Sequence, residues 1–266
     1  VQLWLRLNHP ENELQPVLLQ DPPPSQGDLH FSIFGIPVRV HPFFWLVALL
    51  MGLHGEPKPL EILIWVAVVF VSILVHELGH ALAALAHGFK PWITLYGMGG
   101  LASYRPTRHD PRTQILISFA GPAAGFFLIA VVLSLVHAIG HPVYFARAVG
   151  FPVWIFFDEF DNDNLNLLLK DLIFINVFWG LVNLLPVYPL DGGQISRELF
   201  IQSNPHDGAR QSLWLSVFTA AGLAIFGLVK LDSIFMALLF GYLAYSSYAM
   251  LQHFSGRGGF GGPRGW

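Results

Sequence analysis

Two histidines four residues apart, with a glutamate directly after the first, stand in the segment Val75-His76-Glu77-Leu78-Gly79-His80-Ala81. On a helix, residues four apart lie one turn above each other on nearly the same face. His76 and His80 can therefore offer two imidazole nitrogens to a single ion, and zinc accepts nitrogen and oxygen ligands in tetrahedral sites. Glu77 is about 100° further round the helix. It can reach a zinc-bound water without being a ligand, as a general base must. A catalytic zinc needs a third protein ligand and an open position. The candidate is Asp191, in Asn183-Leu184-Leu185-Pro186-Val187-Tyr188-Pro189-Leu190-Asp191-Gly192-Gly193. The plainer account of Asp191 is a helix-capping aspartate at the start of the next segment.

The chain has no cysteine, which removes thiolate zinc sites, disulfide scaffolds and cysteine nucleophiles. The remaining histidines lie mostly in loops or at span ends without a partner at ligand spacing. Among them, His41 reads as an interfacial anchor.

The elements that must carry these residues are apolar. Of 266 residues, 54% are hydrophobic and 12% charged, about half the charge of an ordinary soluble domain. The expected fold class is an all-α polytopic membrane protein with about six transmembrane helices and a small membrane-associated β-hairpin. The spans are read near Pro42 to Leu53, Leu60 to Ala86, Thr113 to Ile139, Leu165 to Pro186, Gln211 to Val229 and Ser233 to Gln252. Three domains follow: an extramembrane leader (1–33), a six-span membrane domain (34–254) and a flexible glycine-rich tail (255–266). The leader has no basic start followed by an apolar run and a cleavage site, so no signal peptide is read there.

His76, Glu77 and His80 thus fall inside the second span. In hydrocarbon an ionisable side chain costs about 2.5–3.5 kcal/mol or more unless it is paired or faces a cavity. Three in five positions are hard to explain as packing. Ten loop lysines and arginines fall on one side of the bundle and three on the other. This bias places both termini in the cytoplasm, in what is expected to be the cell membrane of a prokaryote. The segment from Thr94 to Tyr104 mixes strand formers with central glycines. It suggests a hairpin dipping toward the metal site; an ordinary glycine-rich turn is the alternative. There is no basic surface for nucleic acid.

His-Glu-Leu-Gly-His in one span, with Asn-x-x-Pro-x-x-x-Leu-Asp-Gly at the end of a later one, resembles the site-2 protease family of intramembrane metalloproteases. The resemblance covers about residues 34–195, including His41-Pro42. It implies an endopeptidase that cuts transmembrane segments, or stretches near the membrane, of membrane-protein substrates. By it, His76, His80 and Asp191 would hold one zinc ion per chain, and Glu77 would activate water. Asn183 would help hold the substrate carbonyl. Gly97 and Gly99 would belong to the family's glycine-containing strand region, whose edge could receive an extended substrate. Phe119-Ala120-Gly121-Pro122-Ala123-Ala124-Gly125 is similar to the family's Ala-Gly-Pro segment, although the family often has asparagine at the place of Gly125. Close helix packing is the simpler reading of these small residues. The form looks minimal, without an inserted peptide-binding domain or an appended regulatory domain. The rival readings are a metal-ion transporter and a catalytically inactive membrane scaffold.

Overall fold

The computed structural model describes residues 22–53, 56–97, 99–105, 110–148 and 151–257. The leader before residue 22, the tail from residue 258, and Met98 of the expected hairpin lie outside the described residues. So do His9, His54 and His109, and the loop cations Arg6, Arg108 and Arg264. One compact unit spans Asp21–Arg108 and Phe119–Asn183; the other takes in residues 110–118 and the chain from Leu184 onward.

In the first unit, β1 (Leu29–Ile33) and β2 (Ile36–Val40) form a hairpin. Its two turn residues, Phe34 and Gly35, both have positive φ, as a tight hairpin turn requires. β3 (Trp92–Tyr96) lies parallel to β2, and β4 (Gly99–Ser103) closes the sheet antiparallel to β3. The strand order is β1-β2-β3-β4, so the expected hairpin is the outer half of a four-stranded sheet. Ile36, Val38, Val40, Ile93 and Leu95 pack with Phe44, Val69, Leu74 and Ala81 into one core.

The first expected span differs in form. Helix α1 (Pro42–Gly52) has only 11 residues, about 16 Å against a hydrocarbon core of about 30 Å. β2, directly before it, adds about 17 Å of reach. His41 joins the two. Its ring Nδ1 accepts from the Phe43 N–H at 3.2 Å, capping α1, while its own N–H donates to the Leu95 carbonyl at 2.8 Å.

Helix α2 (Pro59–Ala86) has 28 residues and carries His76, Glu77 and His80. Proline fits the first turn, where its missing N–H costs nothing, and Glu61 accepts from the Lys58 N–H at 3.1 Å. At the other end the Phe89 N–H reaches the Ala84 carbonyl and the Gly88 N–H reaches Leu85, with Gly88 at φ +83°. That left-handed residue ends the helix and turns the chain into β3.

Four further helices are long and apolar enough to cross a membrane: α3 (Pro111–Ala138), α4 (Asp163–Asn183), α6 (Gly208–Lys230) and α7 (Ile234–Arg257). Their outward faces carry large apolar groups such as Phe127, Phe218 and Leu238, each about 70% exposed or slightly less. In a watery setting such faces would be a liability; in lipid they match their surroundings. The chain is a multi-pass membrane protein. Between α3 and α4 stands a second hairpin, β5 (Val143–Ala148) with β6 (Phe151–Phe157), in the stretch between the third and fourth expected spans. Phe157 seats it on Ile129, Val136, Leu169 and Ile173.

In the second unit, a seven-residue loop precedes α5 (Asp191–Ser203). Serines from both following helices hold this loop. Ser216 of α6 accepts from the Tyr188 N–H at 3.0 Å, and Ser247 of α7 donates to the Tyr188 carbonyl at 3.2 Å.

Candidate metal centre

His76, Glu77 and His80 are all buried on α2, each 8% exposed or less. The Nε2 atoms of the two histidines face each other at 3.1 Å, with the rings edge to face. Two nitrogens on a tetrahedral zinc at bonds of about 2.0–2.1 Å stand about 3.3 Å apart. The observed separation is close to that edge, so the donor pair fits zinc in chemistry and in spacing.

Glycines of neighbouring elements make room for these side chains. A Cβ at Gly100 of β4 would fall on the Glu77 carboxylate, and one at Gly121 of α3 would fall on the His80 imidazole. Gly79, between the histidines, lies against the Ala120 carbonyl, and its absent Cβ lets α2 and α3 meet backbone to backbone. The small residues of the Phe119–Gly125 segment therefore do pack helices closely, and one of them also houses a histidine. Sequence reasoning missed Gly100 and Gly121. Their signal was a glycine in a strand and a glycine in a helix, where each costs conformational entropy.

The expected substrate-side residues take separate places. Gly97 follows β3 in the hairpin turn, and the ring of Phe43 fills the space beside it. Gly99 opens β4 at φ +118°, a conformation that favours glycine, with the Trp179 ring as its nearest side-chain neighbour. Asn183 is buried at the last position of α4.

Asp191 is buried in the first turn of α5, one residue inside the cap position, which Leu190 holds. The helix N-terminus favours its negative charge. Gly192 and Gly193 follow because the 184–190 loop lies on them. A Cβ at either would collide with the backbone of Leu184 and Leu185 or of Val187 and Tyr188. Tyr188, just before this turn, has its phenol pKa pushed up by burial, partly opposed by the charge of Arg197.

The chain is similar to known proteins. The chain is 31% identical over 171 residues to a zinc metalloprotease of Methanocaldococcus jannaschii, covering 64% of this chain and 44% of that protein. It is 29% identical over 183 residues to stage IV sporulation protein FB of Bacillus subtilis, covering 66% and 52%. The chain thus spans about half the length of these curated relatives. Its fold is similar to the solved structure of the site-2 protease from Methanocaldococcus jannaschii. That similarity has a TM-score of 0.53 at 24% identity, over 84% of this chain and 95% of the other. Residues 64–225 match the family model of peptidase family M50, and this stretch takes in the histidine pair, Glu77 and Asp191. The chain belongs to peptidase family M50.

Proposed function

We propose that the protein is a zinc-dependent endopeptidase that hydrolyses peptide bonds in or near transmembrane segments of membrane proteins. The observation that carries this reading is the buried pair of imidazole nitrogens on α2, with the buried Glu77 carboxylate on the same helix one residue after the first histidine. By their types and motifs, His76, His80 and Asp191 would hold one zinc ion. Asp191 is supported by its burial and by the Asn183-to-Gly193 motif in which it stands.

Bound zinc supplies the Lewis acidity that makes a water nucleophilic near neutral pH and polarises a carbonyl. Glu77 takes the proton from that water and returns it to the leaving amine nitrogen. Its buried setting keeps bulk water from competing for the same proton. Among the described residues β4 is an edge strand of its sheet, and its Gly100 lies against Glu77. An extended substrate pairing along β4, past Gly97 and Gly99, would run beside the general base. Asn183 contributes a hydrogen bond to the substrate carbonyl. A helical substrate must unwind locally before it can lie there.

The protein sits in the cell membrane of a prokaryote, with both ends of the chain on the cytoplasmic side. The loop-charge bias supports this orientation. The combined reach of β2 and α1 lets the chain make its first crossing.

The test is reconstitution of the wild-type chain and Glu77→Gln in zinc-supplied vesicles with single-span proteins from the same membrane. Products are read by mass spectrometry. The expected result is cuts within or beside the spans for wild type, and none for a Glu77→Gln protein that still binds zinc. Cuts confined to soluble domains, or undiminished cutting by Glu77→Gln, would overturn the reading. Zinc uptake into protein-bearing vesicles would favour a transporter instead.

A further inference from the structure

Helix α4 is not regular throughout. Residues Ile175–Trp179 form a π-helical turn, a feature that inserts an extra residue and is frequent at functional sites. The buried residue of that turn is Asn176, 4% exposed. A polar amide in a membrane-crossing helix is costly unless it is matched.

Both amide hydrogens of Asn176 are used. Nδ2 donates to the Ser72 hydroxyl at 2.8 Å and to the Leu172 carbonyl at 2.9 Å. A carbonyl only accepts, so this pairing fixes which amide atom is nitrogen. Oδ1 is left as the acceptor. It faces Gly125 of α3, where a built Cβ would stand 3.2 Å away. Ser72 is four residues before His76 on α2, so the two share a helix face. Ser72, His76, Gly125, Asn176, Trp179 and Gly180 line one small cleft. His76 meets His80 through Nε2, so Nδ1 is its second nitrogen. Metal-binding histidines usually donate that second N–H to a carbonyl, a carboxylate or a water.

We propose that Asn176 is a positioning residue of the metal centre. Its Oδ1, through one water in the cleft, accepts from Nδ1–H of His76 and fixes the tautomer that turns Nε2 toward the ion. The π turn brings the amide to this level, and Gly125 leaves the space for it. This inference rests on the proposed role of His76 as a zinc ligand.

Zinc affinity by chelator competition, and the visible spectrum of the cobalt-loaded full chain, test it without proteolysis. Asn176→Ala is expected to bind zinc about 10- to 100-fold more weakly and to shift the cobalt bands at full loading. A purely structural role would not move the bands of the folded, saturated protein. Asn176→Ala combined with Gly125→Asn is expected to recover affinity, because the new amide enters the same space from α3. Gly125→Asn alone meets Asn176 and is expected to weaken binding. If Asn176→Ala yields little folded protein, Asn176→Ser is read in the same two ways. Wild-type affinity and spectrum in the Asn176 variant would overturn the inference while leaving the zinc reading intact. Undiminished zinc binding by His76→Ala would instead sink the zinc reading itself.

Discussion

The His80 imidazole occupies the space in which a side chain at position 121 would begin. One element thus supplies the histidine and another supplies its room, and neither helix can change there alone.

Gly121→Ala is accordingly expected to displace the His80 ring from His76. Overpacking of this kind costs about 1–3 kcal/mol. Zinc affinity should fall as well, and chelator titration beside thermal unfolding separates the two effects. Gly222, where a Cβ meets nothing within 4 Å, is the control: Gly222→Ala should leave zinc affinity unchanged.

Gly100→Ala presses on Glu77 rather than on a histidine. Its expected signature is zinc binding near the wild-type level with proteolysis lowered, in the direction of Glu77→Gln. Loss of a positioned general base typically costs about 10²–10⁴-fold in rate. Equal losses of zinc and activity in Gly100→Ala would show that β4 supports the metal rather than the base.

Ser216 and Ser247 hold both backbone groups of Tyr188, three residues before Asp191. Ser216→Ala leaves a backbone N–H without this partner, a cost of about 1–3 kcal/mol. The expected outcome is weaker zinc binding in the double variant than in either single one, measured by chelator competition. Unchanged affinity would mean that the loop is held by its other contacts.

Asp110 provides the pH dependence. Its carboxylate accepts from the Thr113 hydroxyl at 2.6 Å and N–H at 3.2 Å, and from the Arg112 N–H at 3.4 Å. These bonds, that to the Thr113 hydroxyl first, hold its pKa below the ordinary 3.8. A carboxyl with a lowered pKa adds stability above the ordinary value, and the gain is lost as pH falls through the folded value. The unfolding temperature of wild type minus that of Asp110→Ala should be constant above about pH 5 and shrink below about pH 4. A difference that grows on acidification would refute this cap.

The metal-centre helix was legible in the sequence because its signal is local: two histidines and a glutamate within five positions of one long apolar run. The family resemblance rested on the same local text. The first expected span was not legible as a strand followed by a short helix. Ile36–Val40 continues into the apolar α1, and a short apolar run does not declare its period. What makes it a strand is its pairing with Ile93–Leu95, more than fifty residues later. β5 and β6 escaped for a related reason, since the face they cover is built by α3 and α4. Gly125 looked like a departure from the family asparagine. In the fold it faces an asparagine from another helix, which only the packing of α3 against the π turn reveals.

β4 ends its sheet, with no strand beyond it among the described residues. A strand edge recognises peptide N–H and C=O groups, which nearly every residue carries alike. Selection would then depend less on the letters of a substrate than on how readily a stretch of it gives up its coil. One glycine or proline planted in a resistant span should turn a bystander into a target.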